Sequence, residues 1–248
     1  MYLILTTVIY TLNALTCICL IIYLISKKSD FFCKVPGLDI AVSFLTWIPW
    51  TYTFFKYGYL GLIGCIIGQI LSIYSFSFTH SLFHKYKGPT IRVTLDKIVG
   101  PIKNHLGLII SLLAFPVFWI IRLGQIIIYP LLIWTLRFPK YNSSEWINIS
   151  RQKFKGLVGH DLIWCLYCDW MTGIYSLGGE MLRNVESFWC PIRFDSDKKC
   201  ENCKIDFPDI ENWVPKEGTM EEVTKLLVEK YPLKSKADRS WFKHSGRK

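Results

Sequence analysis

From Leu3 to Ile25 the chain reads LILTTVIYTLNALTCICLIIYLI, 23 positions without a formal charge. About 20 apolar residues at 1.5 Å per residue cross the ~30 Å hydrocarbon core of a bilayer, so this pattern predicts a first span over 3–25. Lys27 and Lys28 follow it. With no basic stretch before it and no small-residue cleavage site, it reads as an uncleaved anchor rather than a signal peptide.

A second apolar stretch, 38–55, holds Pro49 between Trp47 and Trp50 and is short, which suits a kinked span or a re-entrant piece. A third span is predicted over 58–83, with Gly58, Gly61, Gly64 and Gly68 toward its start. Gly64 and Gly68 are four apart and share a helix face, where a neighbouring helix can approach closely. Internal packing is the expected use of that face.

Residues 106–136 are less regular, because Pro116, Arg122, Gln125 and Pro130 interrupt them. An arginine at bilayer centre costs about 2.5–3.5 kcal/mol on insertion scales. Two half-length helices meeting near Arg122, dipping in and out of one face, would bring its head to the interface. One long tilted span is the alternative.

Past residue 138 the pattern changes. On a helix over 173–189, Glu180, Arg183, Asn184 and Ser187 fall on one face at i, i+3, i+4 and i+7. Leu177, Met181, Leu182, Val185, Phe188 and Trp189 cover the other face. That predicts a solvated polar face laced with ion pairs. The functional alternative makes Glu180 or Glu186 a general base and Arg183 an anchor for phosphate or carboxylate. Residues 206–219 read as a loop. Thr219 with Glu222 forms a capping-box pattern opening a helix over 220–231, which Pro232 ends. The tail, 232–248, is basic.

Charge sharpens this division. Residues 1–138 carry 11 Lys/Arg against three acids, whereas 139–248 carry 18 against 16. The net +10 therefore belongs mainly to the apolar half, where loop charges meet anionic lipid. The expected partners are a lipid bilayer and a protein; no nucleic acid is expected. Lys27, Lys28 and Lys34 mark one loop and Lys85, Lys87, Arg92, Lys97 and Lys103 another, while the loop between has only Lys56. By the positive-inside bias both basic loops face the cytoplasm and the N-terminus lies outside. A re-entrant 106–136 leaves the C-terminal region cytoplasmic; a single span puts it outside.

The nine cysteines carry the candidate chemistry. Cys165, Cys168, Cys200 and Cys203 form C-x2-C-x31-C-x2-C, and two such knuckles can bring four thiolates to one tetrahedral zinc ion. Cys190 and His160 are alternate ligands. Iron, mononuclear or as an iron–sulfur centre, is the alternative metal, since a cysteine–proline pair like Cys190-Pro191 closes some cluster motifs. Cys17, Cys19, Cys33 and Cys65 read as packing residues, and His80 and His84 as interfacial histidines.

There is no P-loop, Rossmann glycine fingerprint, H-E-x-x-H or G-x-S-x-G. The sequence thus predicts a mainly α protein with a polytopic membrane domain over 1–138. That domain has about three to four spans (3–25, 38–55, 58–83, 106–136), one of them a candidate for re-entry. A small cysteine-rich, metal-binding domain over 139–231 and the basic tail follow. The expected function is interaction, assembly or service as a complex subunit. The alternative is a membrane-bound metal-dependent or redox enzyme acting on a lipid or in electron transfer, with Glu180, Arg183 and Glu186 near its centre.

Overall fold

The computed structural model describes residues 2–26, 28–84, 88–154, 156–195, 210–233, 236–237 and 239–240. Among these residues ten α-helices run in chain order: α1 (Tyr2–Ser26), α2 (Gly37–Leu45), α3 (Trp47–His84), α4 (Ile91–Val99), α5 (Pro101–Leu112), α6 (Phe115–Leu123), α7 (Tyr129–Leu136), α8 (Ser143–Trp146), α9 (Gly159–Trp189) and α10 (Met220–Lys230). Among the described residues no strand forms. Three helical stretches there, Tyr2–Ser26, Gly37–His84 and Pro101–Leu136, are long and apolar enough to cross a membrane. The backbone divides into two compact units, 1–115 with 142–174, and 116–141 with the described residues from 175 onward. The stretches 1–138 and 139–231, set apart by composition, are each shared between these units.

In the first unit α3 is not one rod. Gly58 takes φ 66°, a conformation glycine adopts without Cβ strain, and the chain doubles back there. Residues 47–57 fold against 59–84: Trp50 donates its indole N–H to Gln69, and Gln69 Nε2 donates to the carbonyls of Leu45 at 2.9 Å and Thr46 at 3.1 Å. The buried amide thus satisfies backbone oxygens left open where α2 breaks from α3. The two expected spans 38–55 and 58–83 lie in this single bent stretch.

α1 packs on α3 through the small residues. A Cβ at Gly64 would stand 2.9 Å from Thr7 Cβ and from the Ile4 carbonyl oxygen, and one at Gly68 2.8 Å from Thr11 Cβ. The pairs 7/64 and 11/68 advance together, so α1 runs parallel to 59–84. Ser26 and His84 therefore lie at the same end.

Residues 142–174 are fastened to that end. The N–H of Ile149 donates to Cys33 O (2.7 Å) and that of Val35 to Ile147 O (3.2 Å). Gly159, at φ 54°, fits against Ser77 and Ser81 and donates its N–H to His80 Nδ1 at 3.1 Å. Buried Asp161 accepts the N–H groups of Ile91 (2.7 Å) and Arg92 (3.0 Å), at the start of α4, where unpaired donors and the helix dipole favour a carboxylate. Asp169 does the same for Ser150 (2.7 Å) and Arg151 (3.1 Å).

The stretch 101–136 breaks at Leu113–Ala114, not at Arg122. Pro116 has no N–H and its ring excludes the carbonyl four residues back, so α5 stops at Leu112. α6 restarts with Pro116 in its first turn, where a missing donor costs nothing. Pro130 leaves the Ile126 carbonyl in the same position, and a π-helical turn at Gly124–Ile128 absorbs the mismatch. Arg122 stays within helix and is buried, donating to Gln125 Oε1 at 3.0 Å.

In the second unit, residues 175–189 of α9 run beside 116–141. A Cβ at Gly178 would stand 3.1 Å from Ile121 Cγ2, Asn184 reaches the Tyr129 hydroxyl at 3.3 Å, and the Phe188 ring meets Phe138 at 5.5 Å. These pairs also advance together, so the two segments are parallel. α7 ends on Arg137 in the left-handed region (φ 58°), and Arg239 closes that end by donating to the carbonyls of Arg137 (2.9 Å) and Leu136 (3.4 Å). The capping box forms as predicted: Thr219 N–H donates to Glu222 Oε2 at 2.9 Å and Glu222 N–H to Thr219 Oγ1 at 3.4 Å.

Candidate functional site

The buried stripe of α9 begins apolar, with Trp170, Ile174 and Leu177, and continues polar as Glu180, Asn184 and Ser187. The face expected to be solvated is thus the inner one; Glu180, Asn184 and Ser187 are each 0% exposed. The outer face of the same helix carries Tyr175, Leu182 and Trp189, at 69%, 53% and 55% exposure. Periodicity placed Glu180, Asn184 and Ser187 together, but Leu177 and Met181, expected on the opposite face, are buried with them, and the neighbouring segment decides which residues turn inward. Residues 116–141 bring polar groups of their own to this contact.

Those groups form one network. Arg183 Nη1 donates to Glu180 Oε2 at 3.0 Å, and the Tyr141 hydroxyl donates to Glu180 Oε1 at 3.4 Å. Asn184 Nδ2 donates to the hydroxyls of Tyr141 (2.6 Å) and Tyr129 (3.3 Å) and to the Glu180 carbonyl (3.2 Å). The Tyr129 hydroxyl in turn donates to the Pro139 carbonyl at 3.2 Å. Arg122 and Gln125 continue the polar lining, with Gln125 Nε2 3.3 Å from the Cβ position of Gly178. A buried carboxylate is tolerable only with a cation and hydrogen bonds, and Glu180 has both.

Burial pushes the Tyr141 phenol up to about 12, and the Glu180 charge adds to that. An acid whose pKa is raised on folding keeps its proton in the native state while the unfolded chain loses it from about pH 10. Stability tied to Tyr141 is therefore complete below about pH 10 and is lost as pH rises toward 12. In alkaline unfolding scans Tyr141→Phe is expected to flatten part of that decline; an unchanged slope would remove Tyr141 from the network.

General-base chemistry needs a substrate within about 3 Å of the base. Glu180 has no exposed surface, so the arrangement suits a clasp between segments. Glu186 lies about 120° around the helix from Glu180, off this face.

Of the two expected knuckles, the first lies among the described residues. Cys165 and Cys168 lie within the first third of α9, because Leu162, Trp170, Ile174 and Leu177 maintain a buried helical stripe through the CLYC stretch. Both thiols are half-exposed. Burial raises the Cys165 thiol, so without a metal it is a neutral thiol. Cys190 follows the end of α9 and is exposed. Cys200 and Cys203 lie outside the described residues. Among the described residues no group of three or more His, Cys, Asp or Glu is placed to hold a metal, so they supply two of the four thiols a Cys₄ zinc site needs.

His160 accepts the Trp164 indole N–H on Nε2 at 3.0 Å, and its Nδ1 stands 3.7 Å from Asp161. Burial, assisted by the Arg92 charge, lowers its pKa and keeps it neutral. It lies about 140° around the helix from Cys165. The His80 and His84 rings stack at 3.8 Å.

Sequence reasoning missed Tyr129 and Tyr141, since isolated tyrosines among apolar residues carry no periodic signal. It also missed Asp161 and Asp169 as fasteners, whose partners are backbone groups distant along the chain. Compared with family models, curated proteins and solved structures, the chain matches none.

Proposed function

We propose that the chain is a multi-pass integral membrane protein that serves as an interaction, assembly or complex subunit, with no catalysis at the Glu180 cluster. The observation that carries this reading is Glu180 itself, which is fully buried with one oxygen on Arg183 and the other on Tyr141. It offers no face to a substrate. Membrane residence is supported by the outward apolar side chains of the long helices, such as Leu5, Ile9, Leu20 and Leu24 on α1. In water so large an apolar surface drives association; in hydrocarbon it is solvated.

The proposed orientation places the N-terminus outside and the C-terminal region in the cytoplasm. In its support, the parallel packing of α1 with 59–84 puts both basic loops at one end, as the positive-inside bias requires. Residues 142–174 are tied to that end through Cys33, His80 and Ile91.

A zinc ion on Cys165, Cys168, Cys200 and Cys203 belongs to the same proposal. The i, i+3 spacing of the first two on a helix lets both thiolates face one ion. Zinc there would fasten the helix to the 200–203 stretch.

The test uses full-length protein purified from membranes in mild detergent without added metal. A discrete complex of defined stoichiometry on native gels, retained by Glu180→Gln, with a single zinc per chain, is the expected result. A solitary chain whose Glu180→Gln variant stays folded but loses a lipid-modifying activity overturns the interaction reading. Iron with a thiolate charge-transfer band turns the cysteines into a redox centre. Metal-free reduced protein removes the ligand assignment.

A further inference from the structure

We propose that the second half of α9, residues 175–189, lies in the bilayer with its outer face against lipid acyl chains, together with 116–136 beside it. This rests on the multi-pass reading and goes beyond it, since the sequence places this helix in a water-facing domain and its stretch is too charged to count as a span.

The distribution of charge carries the argument. The formal charges of 175–189 are Glu180, Arg183 and Glu186. The Glu180 side chain is fully buried and that of Arg183 is 14% exposed, while Glu186 lies about 40° around the helix from Leu182 with its Oε2 buried. Tyr175, Leu182 and Trp189 face outward instead, each seven residues (about two turns) from the next along one side of the helix. Between them, a Cβ on Gly179 would meet nothing within 4 Å.

The neighbouring segment repeats the pattern. Ile120, Leu123, Ile127, Leu131 and Trp134 are exposed, while Arg122, Gln125 and Tyr129 turn inward. Two parallel helices with polar groups between them and apolar groups outside are the reverse of a water-soluble pair. Hydrocarbon accepts the apolar exterior and requires every polar group to be satisfied internally, as the Glu180–Arg183–Asn184–tyrosine network does. The apolar surface continues over both helices and is not confined to one stripe, so a single partner helix would cover only part of it; fluid chains cover all of it. At one end of the pair Trp134 and Trp189 are followed by Arg137, Lys140 and Arg193, the order of an aromatic collar meeting headgroups.

The wild-type chain serves for the test, so no variant has to fold. It is reconstituted in phosphatidylcholine vesicles containing a trace of phosphatidylcholine with a diazirine in its acyl chain, irradiated, digested and mapped by mass spectrometry. Adducts on Tyr175, Leu182 and Trp189 at levels comparable with those on Ile127 and Leu131 are expected. Adducts on α1 and 116–136 with none on 175–189 overturn the proposal and leave the multi-pass reading standing. Absence of adducts from α1 overturns that reading and takes this proposal with it.

Discussion

Arg183→Ala is expected to be the most damaging single substitution in the second unit, costing about 3–5 kcal/mol because it removes the cation 3.0 Å from a fully buried carboxylate. For a chain of this size that corresponds to a fall of about 10 °C in melting temperature in detergent. The loss comes from the charge left behind, not from the contact removed. Glu180→Gln combined with Arg183→Met is therefore expected to recover most of it. The glutamine amide introduced by Glu180→Gln keeps an acceptor for Tyr141, and no ion is stranded. Thermal unfolding of the single and double variants is the measurement. Equal losses for both would mean that packing at Arg183 matters more than its charge.

The second large effect lies in the first unit. Leucines in place of Gly64 and Gly68 have no room, because a Cβ alone would approach the Ile4 carbonyl and Thr7 to 2.9 Å and Thr11 to 2.8 Å. Overpacking costs typically about 1–3 kcal/mol per site, and here the opposing atoms include backbone that cannot rotate away. The double variant is expected to displace α1 from α3, read as a lower melting temperature and faster proteolysis of the 27–36 region. Gly107→Leu is the control, since a Cβ there would meet nothing within 4 Å. A double variant as stable as this control would show that α1 does not depend on close approach.

Both expectations show where the sequence is informative. Gly64 and Gly68 announce a tight helix contact from spacing alone, because only small residues at i, i+4 permit one. The capping box at Thr219 and Glu222 is equally legible, since its partners are three residues apart. Pro116 and Pro130 predict disruption in 106–136, but charge points to Arg122, and the break instead follows the backbone rule at Pro116. CLYC lies within a helix for a related reason: the stripe of large apolar residues around it keeps the helix continuous because it buries far more surface.

The sequence by itself determined the helical class and the long apolar stretches, because these depend on composition and on periods of a few residues. It could not determine that the polar face of α9 turns inward. That required Tyr129 and Tyr141, dozens of residues away, to stand opposite Glu180 and Asn184, and an outer environment that accepts Tyr175, Leu182 and Trp189. Nor could it assign Asp161 and Asp169 to the backbone of other segments. Amphipathicity states that a helix has two sides. Which side is buried depends on the relative free energies of what lies against each, and only the tertiary structure brings those partners together.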